Sequence, residues 1–82
     1  MRYLVELQVK PQSINQILDQ FELRGPNQVP GVRFRQAWIS KKQDVIFALG
    51  DADNEAGLLE ACHHWDEFGT YNITEVVDIE NY

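Results

Sequence analysis

The chain has few of the cysteines through which many small folded domains are stabilised by disulfide bonds or bound zinc. It has a single cysteine, Cys62, among 82 residues. No disulfide can therefore form within the chain, and no zinc site can be built from several cysteines. A small domain without disulfides or bound metal commonly enlarges its core by oligomerising. We therefore expect one domain over residues 1–82 that pairs with a second copy of itself.

Basic charge and long apolar segments are also scarce. Seven Lys and Arg stand against 13 Asp and Glu, a formal net charge of −6, and the basic residues are scattered. Because phosphate-binding surfaces need clustered basic residues, nucleic acid and anionic membranes are disfavoured as partners. No apolar run approaches the ~20 residues of a membrane span, and the first residues lack the apolar region of a signal peptide. The sequence predicts a cytoplasmic protein.

The strings typical of common enzyme sites are missing as well. The sequence contains no GxGxxG, P-loop or GxSxG pattern, so the commonest signatures of nucleotide binding and acyl transfer are absent. We expect no cofactor, and the residues favour a protein without catalytic activity.

The hydrophobic pattern itself is regular. Apolar residues alternate over residues 3–9, 32–40, 44–50 and 71–79, which predicts four strands. A capping-box pattern at residues 13–16 begins one helix, for which Gly25 is the predicted stop. The carboxylates of Asp51 and Asp53 offer a cap for a second helix. If the hairpin between the middle strands closes around residues 42–43, Trp38 lies opposite Phe47.

The predicted order is strand, helix, strand, strand, helix, strand. Short connections and right-handed crossovers close this order into a ferredoxin-like α+β sandwich with both helices on one side of an antiparallel sheet. The face with the larger side chains is expected to contact the helices: Tyr3, Val5, Leu7, Trp38, Phe47 and Leu49. The other face carries Leu4, Ala37, Ile39, Ile46, Ala48 and Val76. Because this patch is too apolar for water, we expect it to meet its own copy.

Two candidate reactive sites are weak on spacing alone. His63 and His64 are adjacent, and adjacent helical residues point ~100° apart, so they do not form a ligand pair on one helix face. No metal site is predicted. Cys62 falls on the apolar stripe of the second helix, which predicts a core residue rather than a reactive thiol. Arg33 and Arg35 could clamp a carboxylate or phosphate, although pairing with acidic neighbours is the simpler interpretation.

Glu75 breaks the pattern of the last strand, because it stands where an apolar side chain is expected. A carboxylate held against Trp38 or Trp65 would be desolvated and its pKa raised. The simpler alternative is that Glu75 reaches solvent at a sheet edge. The two indoles and this carboxylate are the candidate ligand site, in a pocket between sheet and helices.

Several of these residues also carry a family resemblance. Trp38, Phe47, the run 65–68 (WDEF) and the run 75–77 (EVV) resemble a family of short bacterial proteins, domain of unknown function 3303, placed in the dimeric α+β-barrel superfamily. Ala61 stands where that family commonly has a second Trp, and Asp78 where it favours Pro. The resemblance implies a homodimer and no established activity. The superfamily adds, by analogy, cofactor-free monooxygenases and small-lactone isomerases.

Three functions remain open from the sequence. The first is a homodimer that binds a small apolar or aromatic molecule at Trp38, Trp65 and Glu75. The second is a structural or regulatory interaction module without a ligand. The third is an enzyme of the monooxygenase or isomerase kind with Glu75 as general base.

Overall fold

The computed structural model describes residues 1–24 and 30–82, with side chains described outside residues 20–24. Its strands are β1 (Arg2–Val9), β2 (Val32–Ile39), β3 (Val45–Ala52) and β4 (Gly69–Val76), and its α-helices are α1 (Ile14–Arg24) and α2 (Glu55–Cys62). A 3-10 helix, His63–Phe68, continues α2, and a short 3-10 turn, Ile79–Asn81, follows β4. The predicted helix stop at Gly25 lies outside the described residues.

The sheet confirms the predicted architecture. All three strand pairs are antiparallel and the order is β2-β3-β1-β4, so the element order βαββαβ forms a four-stranded antiparallel sheet with two helices. The predicted hairpin register is also confirmed, because Trp38 pairs with Phe47 and Ile39 pairs with Ile46. Within the described part of the chain, no helix has the length and apolar character needed to cross a membrane.

The core lies between the sheet and the helices. Every second residue of β1, from Tyr3 to Val9, is buried, together with Ile17 of α1 and Leu58 of α2. The 3-10 helix adds two aromatic side chains, and one of them, Trp65, has its ring centroid 5.4 Å from that of Phe34. This side of the sheet is therefore the helix-covered face, and the opposite side is called the open face below.

The side chains of β3 lie on the opposite faces of the sheet from those predicted. Val5 pairs with Ala48 and Leu7 with Ile46, which places the smaller β3 side chains under the helices. Phe47 and Leu49 consequently lie on the open face. The prediction assigned the faces by side-chain size, but β3 is apolar on both sides and pairing with β1 decides its phase. A shift of one residue exchanges the two faces.

A bulge in β2 places Phe34 and Trp38 on opposite faces of the sheet. The register with β3 shifts between Phe34 and Gln36, so one residue of β2 has no direct partner and the side-chain alternation changes phase. Phe34 is buried under the helices, whereas Trp38, opposite Phe47, lies on the open face. Ala37 and Ile39 lie on the helix side, contrary to the prediction.

The second helix is capped by a residue other than the predicted ones. Asn54 is the N-cap, and its side-chain oxygen accepts a hydrogen bond of 2.8 Å from the backbone N–H of Gly57. Asp51 and Asp53, the predicted capping carboxylates, are therefore left for other contacts. Asn54 caps the helix in place of Asp51 or Asp53. Asn and Asp are both good N-cap residues, so the position along the chain decides between them.

Candidate functional site

The open face carries a contiguous group of apolar side chains. By strand register its members are Leu4, Trp38, Val45, Phe47, Leu49 and Val76. Trp38 is 45% exposed, and the other five are partly buried. We call this group the apolar patch. It faces solvent on a sheet whose other side already holds the core.

One acidic residue lies within the patch. Glu6 pairs with Phe47 on one side and with Asn72 on the other, so the row across the middle of the face runs from Trp38 through Phe47 and Glu6 to Asn72. The carboxylate is partly buried. Polar residues on β4 border the patch, which thus has an apolar middle and a polar margin.

Arginines gather at one end of the same face. Asp51 pairs in register with both Arg33 of β2 and Arg2 of β1. Its carboxylate accepts a hydrogen bond from Nε of Arg35, the residue at the bulge, and a weaker one of 3.4 Å from Nε of Arg2. Nη1 of Arg2 also lies 3.9 Å from Asp78. We call Arg2, Arg33, Arg35 and Asp51 the arginine cluster.

The charges in this cluster act on the central carboxyl. The hydrogen bond from Arg35 holds the pKa of Asp51 below its ordinary value of 3.8. Partial burial acts in the opposite direction, and the hydrogen bond from Arg2 and the two positive charges lower the pKa further. Asp51 is therefore a stable anion that orders two guanidinium groups.

Trp38 lies apart from the other two predicted ligand-site residues, Trp65 and Glu75. Trp38 lies on the open face of β2, one edge of the sheet, whereas Trp65 is 9% exposed and packs in the core on the other side. Glu75 lies on β4, at the other edge. Three strand spacings, about 14 Å, separate the two edges. The sheet itself therefore separates Trp38 from Trp65, and its width separates Trp38 from Glu75.

Glu75 is exposed near the end of β4 and pairs in register with Tyr3. This corresponds to the simpler alternative, in which a carboxylate at a sheet edge reaches solvent. Burial raises the pKa of its neighbour Tyr3, and the charges of Glu75 and Glu55 raise it further.

Trp38 instead borders a small apolar cleft beside α1. The cleft has a volume of about 160 Å³ and is lined by Leu18, Ala37, Trp38, Ile39 and Ile46. Leu18 and Ile39 are about as exposed as Trp38. Leu18 was not predicted as a site residue, because its place in the helical pattern gives no signal that it borders this cleft.

The cysteine and histidines of the α2 segment make no reactive centre. Cys62 is fully buried, as predicted, and burial, with a smaller contribution from the charge of Asp66, raises its pKa to about 12. Nδ1 of His63 lies 2.9 Å from the Asp66 carboxylate, and both histidines are exposed. Among residues 1–24 and 30–82, no three His, Cys, Asp or Glu side chains are grouped to hold a metal ion.

Comparison with known proteins gives a family without an assigned activity. The family model described as "Domain of unknown function (DUF3303)" matches residues 1–82, the whole length of the chain. No curated protein matches the chain.

Proposed function

The chain belongs to the family described as a domain of unknown function, DUF3303, and we propose from its geometry that it is a small homodimeric module. In this proposal two copies pair through the open faces of their sheets, with the apolar patch at the centre of the interface.

The observation that carries the proposal is the composition of β3. Residues Val45–Leu49 are all apolar, and they alternate between the helix-covered face and the open face. An antiparallel sheet that faces water on one side shows polar residues there, whereas near-continuous apolar strands are typical of sheets covered on both faces. A second layer on the open face explains why residues 45–49 of β3 are apolar on both faces.

The size of the open face is sufficient for a dimer. Each of the four strands has eight residues. With a rise of ~3.4 Å per residue and a strand spacing of ~4.8 Å, the face measures about 27 by 19 Å. Two such faces bury about 1,000 Å², the lower limit for a specific interface.

A second copy is the occupant that this face fits best. A two-fold axis places the same surface on both sides of an interface, so the surface must complement itself. The middle of the face is mostly apolar, and its arginine cluster lies at one end with an anion at its centre. Pairing of like surfaces therefore buries apolar area, with Glu6 as the one acidic residue in the middle row of each face.

Sedimentation of a variant pair tests the proposal. Phe47→Glu places a charge in the middle of the patch, and we expect it to convert a dimer to a folded monomer. Leu59→Glu is the matched control, because Leu59 is an exposed apolar residue of α2 on the other side of the sheet. A wild-type chain that sediments as a monomer, or a Phe47→Glu variant that stays dimeric, contradicts the proposal.

The cleft beside α1 supports a second function, the binding of a small apolar molecule. All of its lining residues are apolar, Trp38 is one of them, and its volume of about 160 Å³ suits a single aromatic ring. Neither Trp65 nor Glu75 lines this cleft. The exposed position of Glu75 gives no support to a role as general base.

Benzene is a suitable probe for this second function, read by the NMR signals of the Trp38 indole and the Ile39 amide. Ala37→Leu fills the cleft and should abolish saturable shifts at both signals. Ala56→Leu adds the same side chain at an exposed position of α2 and should leave them unchanged. Equal binding by both variants would show that benzene binds elsewhere.

A further inference from the structure

A polar cleft opens at the end of the sheet where β2 begins and β3 ends. It has a volume of about 330 Å³ and is lined by Met1, Gly31, Val32, Arg33, Arg35, Asp51, Ala52 and Asp53. This size is at the lower end of small-molecule sites. Four of its lining residues are charged, Arg33, Arg35, Asp51 and Asp53.

One arginine in the cleft is left without an acidic partner. Arg33 lies directly opposite Asp51 in the β2–β3 register, but the two Asp51 oxygens contact Arg2 and Arg35 instead. Among the residues that the structure describes, no carboxylate forms an ion pair with Arg33. Two arginines thus share the Asp51 carboxylate, and the planar guanidinium of Arg33 remains available for a second one.

A second carboxylate, besides that of Asp51, lines the same cleft. Asp53 follows β3 and is exposed, and the hydrogen bond that caps α2 comes from Asn54 instead. A Cβ atom on Gly31 would lie 3.1 Å from Oδ2 of Asp53, and Gly31 has φ +82°. The positive φ favours glycine at this position, and a side chain there would displace the exposed Asp53 carboxylate by a few tenths of an ångström. Arg33 and Asp53 line the same cleft, and each follows in sequence one member of the last register pair of β2 and β3, Val32 with Ala52.

We propose that this cleft binds a small zwitterion of the α-amino acid class, with its carboxylate on Arg33 and its ammonium group on Asp53. The Asp53 carboxylate disfavours phosphates and other polyanions, which carry more negative charge than Arg33 alone can balance. The proposal does not rest on pairing of the open faces, because it concerns groups within one chain.

The test is a titration of the ¹⁵N-labelled protein with L-valine, N-acetyl-L-valine and L-valinamide. L-Valine should give saturable shifts at the backbone amides of Gly31, Val32, Ala52 and Asp53. Each derivative lacks one charge and should bind at least about tenfold more weakly, since a hydrogen bond to a charged group is worth that much. Equal affinity for all three compounds, or shifts that stay linear with concentration, would overturn the proposal.

Charge variants locate the site. Arg33→Gln should weaken L-valine binding at least about tenfold, whereas Lys42→Gln, in the turn at the other end of the sheet, should change it by less than about twofold. Asp53→Asn should weaken binding of L-valine but not of N-acetyl-L-valine. If Lys42→Gln and Arg33→Gln have the same effect, the binding is general electrostatic attraction and the proposed site is wrong. Arg33 and Asp53 are both exposed, so we expect the variants to fold. Their amide spectra verify this.

Discussion

The two faces of the sheet are built from similar side chains but have different neighbours. On the helix-covered face, Val5 and Leu7 are almost fully buried by contacts within the chain. On the open face, Leu4, Phe47 and Leu49 are only partly buried. One chain supplies the core for the first face, and in our proposal the second face obtains its core from another copy. Apolar content therefore does not by itself reveal which face a single chain covers.

The largest effect should come from a cavity under the helices. Leu7→Ala removes a fully buried side chain and should lower the free energy of unfolding by about 2–5 kcal/mol. Chemical denaturation monitored by circular dichroism measures this loss. When both proteins are measured at concentrations where the chains are dissociated, this loss should not depend on protein concentration. A loss below about 1 kcal/mol would show that Leu7 is not packed as described.

The same truncation on the open face should act differently. Leu4→Ala lies one residue away but on the patch, so it should weaken pairing of two chains more than folding of one. We expect the dimer dissociation constant, measured by sedimentation equilibrium, to rise about tenfold, with a smaller loss of monomer stability than in Leu7→Ala. If the two variants lose the same stability at all protein concentrations, the open face is not an interface.

Loss of the helix cap should have a moderate effect. Asn54→Ala removes the oxygen that accepts the hydrogen bond from the Gly57 amide and should cost about 1 kcal/mol. Asn54→Asp is the matched variant and should retain most of the stability. Thermal unfolding of both variants measures the difference. An Asn54→Ala protein as stable as the wild type would remove the assigned role of this cap.

The smallest effect concerns pH at the arginine cluster. Because the folded-state pKa of Asp51 is lowered from 3.8, its ionised form stabilises the fold. This contribution is present above the unfolded-state pKa and is lost as pH falls through the folded-state value. Curves of the free energy of unfolding against pH should therefore fall more steeply between about pH 6 and pH 2.5 for the wild type than for Asp51→Asn. Parallel curves would contradict the assigned pairing with Arg35 and Arg2.

The sequence predicted most of the backbone and less of the side-chain placement. Apolar and polar residues alternate in β1, as in Val5, Glu6, Leu7 and Gln8, so the face on which each side chain lies could be predicted. The hairpin register of Trp38 with Phe47 followed from the length of the turn. The orientation of β3 could not be predicted in this way, because apolar residues on both sides of a strand fit either face.

The candidate site was harder to predict than the fold. The bulge near Arg35 puts Phe34 and Trp38 on opposite faces of the sheet, and no residue in this stretch marks a bulge in the way that a glycine would. Without the bulge, the hairpin register would place Arg33 opposite Ala52 rather than Asp51. The arginine cluster therefore depends on one irregular residue, and only the three-dimensional arrangement reveals it.

The most direct measurement of the central claim is an isotope-filtered NOE experiment on a mixture of labelled and unlabelled chains. Contacts between two chains then appear separately from those within one. The account predicts intermolecular NOEs from the side chains of Phe47, Leu49 and Leu4. Intermolecular NOEs confined to the helices, or none from the open face at concentrations where the mass is that of two chains, would contradict it.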